Sequence, residues 1–115
     1  MSKLHSRAFT LVEIMIVVVI IGILASIAVP AFNKVRQQTR KNAVLENLRQ
    51  IASVGQQVIL DQGVDGAAYL NLVADGYMPR VKPVGQESYD FLIVREGGGS
   101  LRVDVDDGLT VQYDY

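Results

Sequence analysis

Cysteine and tryptophan are absent from this 115-residue chain, and histidine occurs once, at His5. Without cysteine there are no disulfide staples, no thiolate metal site and no thiol nucleophile. A single histidine three residues before Ala8 leaves the rest of the chain without an imidazole base or ligand, which excludes histidine-based triads and imidazole zinc sites there. Positive charge is not in excess: Lys and Arg number 11 against 12 Asp and Glu, for a formal charge of −1. No basic footprint for nucleic acid follows. Gly97-Gly-Gly99 is not a phosphate loop, because neither Lys-Ser/Thr nor a helix start comes after it. Asp104, Asp106 and Asp107 invite a calcium site, but strand alternation and Asp-Gly turn chemistry account for them without one. No enzymatic function, cofactor or metal is expected. The length suits one small domain, and a small domain without staples draws stability from elsewhere, here a membrane or neighbouring subunits.

What the chain does have is one long apolar run. Residues 14–32 read IMIVVVIIGILASIAVPAF, 19 positions without a charged side chain. At ~1.5 Å per residue a helix of that length covers roughly 28 Å, close to the hydrocarbon thickness of a bilayer. It exceeds the about 7–15 residues of a signal-peptide core. The β-branched stretch from Val17 to Ile21 is acceptable as helix in lipid, where only a helix satisfies the backbone. Ahead of the run, Thr10-Leu-Val-Glu13 has the form of a capping box, with an acid in the first turn. An isolated carboxylate at a membrane edge also calls for a partner. Gly22, Ser26 and Pro30 interrupt the run, and Pro30 cannot donate to the Ser26 carbonyl, so the helix is expected to break or loosen at Gly22 and Pro30.

The segment AFTLVEIMIVVVIIGILASIAVPAF resembles the N-terminus of type IV pilins and of type II secretion pseudopilins. Those precursors carry a short basic leader, a small residue, Phe-Thr-Leu-x-Glu and an apolar helix with a proline at this interval. The resemblance covers about a quarter of the chain. Ala8 stands where the family usually has glycine, and is still small enough for a protease subsite. The resemblance implies a leader of residues 1–8, cleaved between Ala8 and Phe9 by a prepilin peptidase that also methylates the new Phe9 amine. It implies that residues 9–32 form the transmembrane or filament-core half of the helix, and that residues 33–115 form a head outside the cytoplasm. Loss of Lys3 and Arg7 would take the side-chain charge from −1 to about −3. Phe9 and Glu13 are implied as subunit-assembly residues, the acid pairing with a neighbour's terminal amine. The implied partners are the peptidase, identical or related pilins, an inner-membrane assembly platform and membrane lipid. Lys34, Arg36, Arg40 and Lys41 follow the apolar run, and a positive-inside count taken alone would point the head the other way.

Beyond the membrane stretch, Val44, Leu48, Ile51, Gly55 and Val58 recur at helical spacing, which predicts an amphipathic continuation to about Leu60. Asp61 to Gly66 reads as a loop and Ala67 to Asp75 as a short helix. Three period-two segments follow, Tyr89–Val94, Leu101–Asp106 and Leu109–Asp114, with turns at Glu96–Gly99 and Asp106–Gly108. The expected fold is α+β, a long N-terminal helix packed on a small antiparallel sheet of about three strands. Three functions fit: a type IV pilus subunit, a type II secretion pseudopilin, or a single-pass anchor carrying a surface-binding module.

Overall fold

The computed structural model describes residues 8–115, so Lys3, His5, Arg7 and the rest of the expected leader before Ala8 lie outside the described residues. Helix α1 runs from Leu11 to Gln62 as one element, with Pro30 inside it. Neither Gly22 nor Pro30 interrupts it in the lone subunit. The chain divides into two compact units, Met1–Arg36 and Gln37–Tyr115. In the first, the described residues are exposed throughout.

The second unit holds the core. After α1 come β1 (Gly66–Ala68), α2 (Tyr69–Ala74), β2 (Ile93–Arg95), β3 (Ser100–Asp104), a 3-10 turn (Asp106–Gly108) and β4 (Thr110–Asp114). The strands make two antiparallel pairs, β1 with β2 and β3 with β4. The α+β class, the long helix and the antiparallel pairing are as expected from the sequence. Among the described residues the strands number four in two ladders rather than about three in one sheet. The predicted stripe is the buried one: Val44, Leu48, Ile51, Gly55 and Val58 all face inward. Leu101, Val103 and Val111 of the β3–β4 hairpin meet the same core, while Arg102, Asp104, Gln112 and Asp114 point outward, as period two requires.

Three local differences have physical causes. Tyr89–Leu92 is a turn rather than the start of a strand, closed by the Leu92 N–H donating to the Tyr89 carbonyl at 3.0 Å. The turn shifts the side-chain phase, so Tyr89, Leu92 and Val94 are buried while Phe91 is 64% and Ile93 48% exposed. Strand β1 falls in what reads as loop and helix start. Gly-Ala-Ala has no β-branched or aromatic residue, and its extension comes from pairing with Val94 and its neighbours. Glu96–Gly99 does not close a hairpin but carries the chain from one ladder to the other. Gly98 there has φ +97°, and a Cβ on it would stand 2.7 Å from the Tyr115 carbonyl oxygen.

Helix and strand lie in close approach at Gly55. A Cβ on Gly55 would lie 2.5 Å from Val94 Cγ2, inside any real contact distance. Glycine costs a helix interior ~1 kcal/mol relative to alanine, so the backbone accepts a poorer helix former to let β2 lie against it.

A polar lock holds the irregular segment between α2 and β2. Glu87 is 3% exposed. Its Oε1 accepts from the Val84 N–H at 2.5 Å and the Tyr89 hydroxyl at 3.0 Å, and its Oε2 from the Gly85 N–H at 2.7 Å. Asn47 of α1 donates to the Tyr89 oxygen at 3.0 Å, which ties the loop to the helix. Burial pushes the Glu87 carboxyl up, but the N–H groups of Val84, Gly85 and Glu87 itself, with the Tyr89 hydroxyl, outweigh it and the net shift is downward. Burial, together with the nearby Glu87 charge, pushes Tyr89 up to about 12. Tyr69 packs against Tyr89 with ring centroids 6.2 Å apart and accepts from the Val81 N–H at 2.9 Å.

Two stability measurements on the purified protein in detergent check this account. Gly55→Ala should lower unfolding stability in urea by about 1–3 kcal/mol despite alanine's better helix propensity. Gly22→Ala, with nothing within 4 Å of its added Cβ, should not lower it. Glu87 has a folded-state value below its ordinary 4.5. Its contribution is therefore complete above that value and is lost as pH falls through the lower folded-state one. Stability should begin to fall as pH drops below about 4.5. Glu87→Gln should flatten that slope and cost about 1–3 kcal/mol at neutral pH.

Candidate assembly site at the start of the long helix

Thr10 is the last residue before α1, and it meets Glu13 twice. The Thr10 hydroxyl accepts from the Glu13 N–H at 3.2 Å, and the Thr10 N–H donates to Glu13 Oε2 at 3.1 Å. The Thr10 carbonyl takes the Ile14 N–H at 3.2 Å, the first helical bond. Two of the donors that a helix start leaves open are thereby satisfied reciprocally, which is a formed capping box. Glu13 is also the acid of the first turn, where the helix dipole favours a negative charge. The cap fixes the carboxylate next to the backbone through one of its oxygens.

Ala8 and Phe9 precede the helix and are exposed, Phe9 at 80%. The structure thus places the expected junction and Glu13 in one short stretch, with Thr10 rather than Phe9 as the direct partner of the acid among the described residues. Gly22 and Pro30 lie farther along α1, and open space surrounds Gly22. Pro30 lacks the N–H that would reach the Ser26 carbonyl. Ser26 turns its hydroxyl back to the Ile23 carbonyl at 2.7 Å, a local bond that loads the same turn.

Charge is absent between Glu13 and Lys34, and the apolar side chains there are uncovered. Leu11, Leu24, Ile27 and Phe32 are each more than 60% exposed. Among the described residues α1 alone is long and apolar enough to cross a membrane, and none of its most apolar window is buried in the protein. A core helix of a soluble domain would be covered by its own chain. This surface needs lipid or other helices against it.

Two aspartates at the β3–β4 turn, Asp104 and Asp106, are engaged within the protein. Asp104 Oδ1 accepts from the Thr110 hydroxyl at 2.7 Å. Asp106 accepts from the Gln86 N–H at 3.1 Å and lies 3.7 Å from Arg40. No group of three or more His, Cys, Asp or Glu converges among the described residues. Sequence reasoning missed both the Asp106 tie and the Glu87 lock, since each joins loop residues to distant elements without a spacing signal.

A family model described as the prokaryotic N-terminal methylation motif matches residues 3–29. The type IV major fimbrial protein FimA of Dichelobacter nodosus is 32% identical over 117 aligned positions, covering 87% of this chain and 73% of that protein. A second such FimA of the same organism is 30% identical over 86 residues, 75% of this chain and 55% of that protein. The type IV major pilin protein PilA of Myxococcus xanthus (strain DK1622) is 49% identical over 45 residues, 39% of this chain and 20% of that protein. The chain thus spans a fifth of PilA and about half of one FimA. No solved structure matches it significantly.

The cap has its own test. Thr10→Ala should weaken the first turn by about 1 kcal/mol, seen as roughly fivefold faster amide exchange at Glu13 in micelles. Thr10→Ser should restore the protection.

Proposed function

The chain belongs to the type IV pilin family, and from that premise we propose that it is a structural subunit which polymerises through α1 into a type IV pilus or pilus-like filament. The observation that carries the reading is an apolar helix left uncovered by its own chain and headed by a capped acid. Before assembly, lipid covers residues 9–32 and anchors the subunit in the inner membrane, with the head outside the cytoplasm. A prepilin peptidase cuts between Ala8 and Phe9 and methylates the Phe9 amine. An inner-membrane assembly platform then transfers the subunit from lipid to a growing bundle of related helices.

Glu13 makes that transfer selective. A carboxylate moved into an apolar bundle without a counter-charge is costly. The terminal amine of a neighbour's Phe9 supplies the counter-charge, and the match sets axial register. Capping and pairing are compatible, because the cap uses Oε2 and leaves a carboxylate still able to accept. The open space at Gly22 suits close approach of a second helix. At Pro30 the helix lacks one backbone bond, so local unwinding around Ser26 loses less there than elsewhere and would lengthen the subunit in the filament.

Mass spectrometry of the mature N-terminus should find N-methyl-phenylalanine from Phe9. An intact Met1 in the membrane fraction would instead assign a plain single-pass anchor. Glu13→Gln keeps an acceptor for the Thr10 N–H and removes the charge, so it should preserve membrane insertion and reduce filament yield by an order of magnitude or more (~10-fold). Normal filaments from that variant would remove the pairing from the mechanism. Deletion of the gene, scored for surface filaments and for secreted proteins, separates a pilus subunit from a type II secretion pseudopilin.

A further inference from the structure

We propose that Lys34 and Arg36 bind the phosphates of anionic phospholipids at the bilayer face opposite Glu13, and so fix the depth at which the unassembled subunit sits. The inference rests on the membrane half of the reading above, not on filament formation.

Depth follows from spacing. Glu13 and Lys34 stand about 21 steps apart on α1, roughly 32 Å at ~1.5 Å per residue, against a hydrocarbon core of ~30 Å. The first charge before the apolar stretch and the first after it therefore reach opposite interfaces at once. Glu13 need not enter hydrocarbon in the lone subunit, and its desolvation is deferred to assembly. Lys34 lies two residues past Phe32 and Arg36 four, about 3 and 6 Å farther along the axis, within the headgroup layer.

Chemistry selects the ligand. No acidic residue occurs between Glu13 and Glu46. Lys34 and Arg36 are exposed and have no carboxylate within ion-pair distance among the described residues, whereas Arg40 is held by Asp106 at 3.7 Å. Long basic side chains at a membrane edge lay their methylene stems along the apolar surface and lift the charge to the interface. Arginine can grip a phosphate through two N–H groups and lysine adds a mobile point charge. Each basic residue near an anionic surface contributes a several-fold preference, up to about fivefold, that falls with salt.

The test uses the full chain reconstituted in phosphatidylcholine vesicles with traces of spin-labelled lipid. Phosphatidylglycerol should be enriched over phosphatidylcholine in the motionally restricted, protein-contacting fraction by about fivefold at about 0.05 M salt, and by less than about twofold at 0.5 M. Lys34→Gln with Arg36→Gln should abolish the enrichment. The charge-keeping swap Lys34→Arg with Arg36→Lys should retain it, which separates charge from any loss of helix. Equal contact for both lipids, or enrichment that survives the double glutamine variant, would overturn the proposal. So would a double variant that keeps the enrichment but no longer self-associates, since that assigns the two residues to acids of a neighbouring subunit. Failure to insert into vesicles at all would reject the membrane reading itself, a different result from insertion without lipid preference.

Discussion

Lipid, or a helix standing in for lipid, is what residues 9–32 call for, because nothing among the described residues covers them. At ~25 cal/mol per Å² of apolar surface, a side chain such as Leu24 or Phe32 left in water forgoes about 1.5–3 kcal/mol. Summed over the segment this is larger than the net stability of a small domain. Every other feature of α1 is placed with respect to that demand. The capping box satisfies two backbone N–H groups where the apolar stretch begins, which lowers the cost of carrying the helix start toward a medium without water. Charges resume only after the stretch is long enough to cross.

The second unit meets the opposite demand. It is a small, cysteine-free fold in water, and it gathers its core by using one face of the same helix as a floor. Glycine at position 55 brings β2 down onto that floor, and the Asn47–Tyr89–Glu87 chain fastens a segment that has no ladder of its own. The buried carboxylate is tolerable because each of its oxygens has a donor, which is the condition under which a polar group strengthens a core.

The parts that could be read from sequence are those with a local period or a local motif. Apolar length gave the uncovered half of α1, 3.6-residue spacing gave the buried face from Val44 to Val58, and Thr10-x-x-Glu13 gave the cap. Period two gave the β3–β4 hairpin, whose Asp106–Gly108 turn sits where expected. What escaped was set by distant partners. Gly66-Ala67-Ala68 has no intrinsic preference for strand and becomes one only beside Val94. Phe91 and Leu92 exchange inside and outside because of a single turn at Tyr89, and Glu87 reads as an ordinary loop acid until its donors are in place. At the candidate site, the Thr10–Glu13 contact was legible because both partners lie within one turn of each other.

The two ladders differ in a way that bears on how the second unit folds. The β3–β4 hairpin joins neighbours across one short turn, but β1 and β2 bring together segments about 27 residues apart. Chain entropy opposes the longer closure more strongly, and contacts of large sequence separation are slow to form. Loop-closure entropy alone would place the hairpin early and the laying of Val94 onto Gly55 late. Until such a step is complete, part of the helix floor stays open to solvent, and a newly made subunit would then expose apolar surface on both of its units.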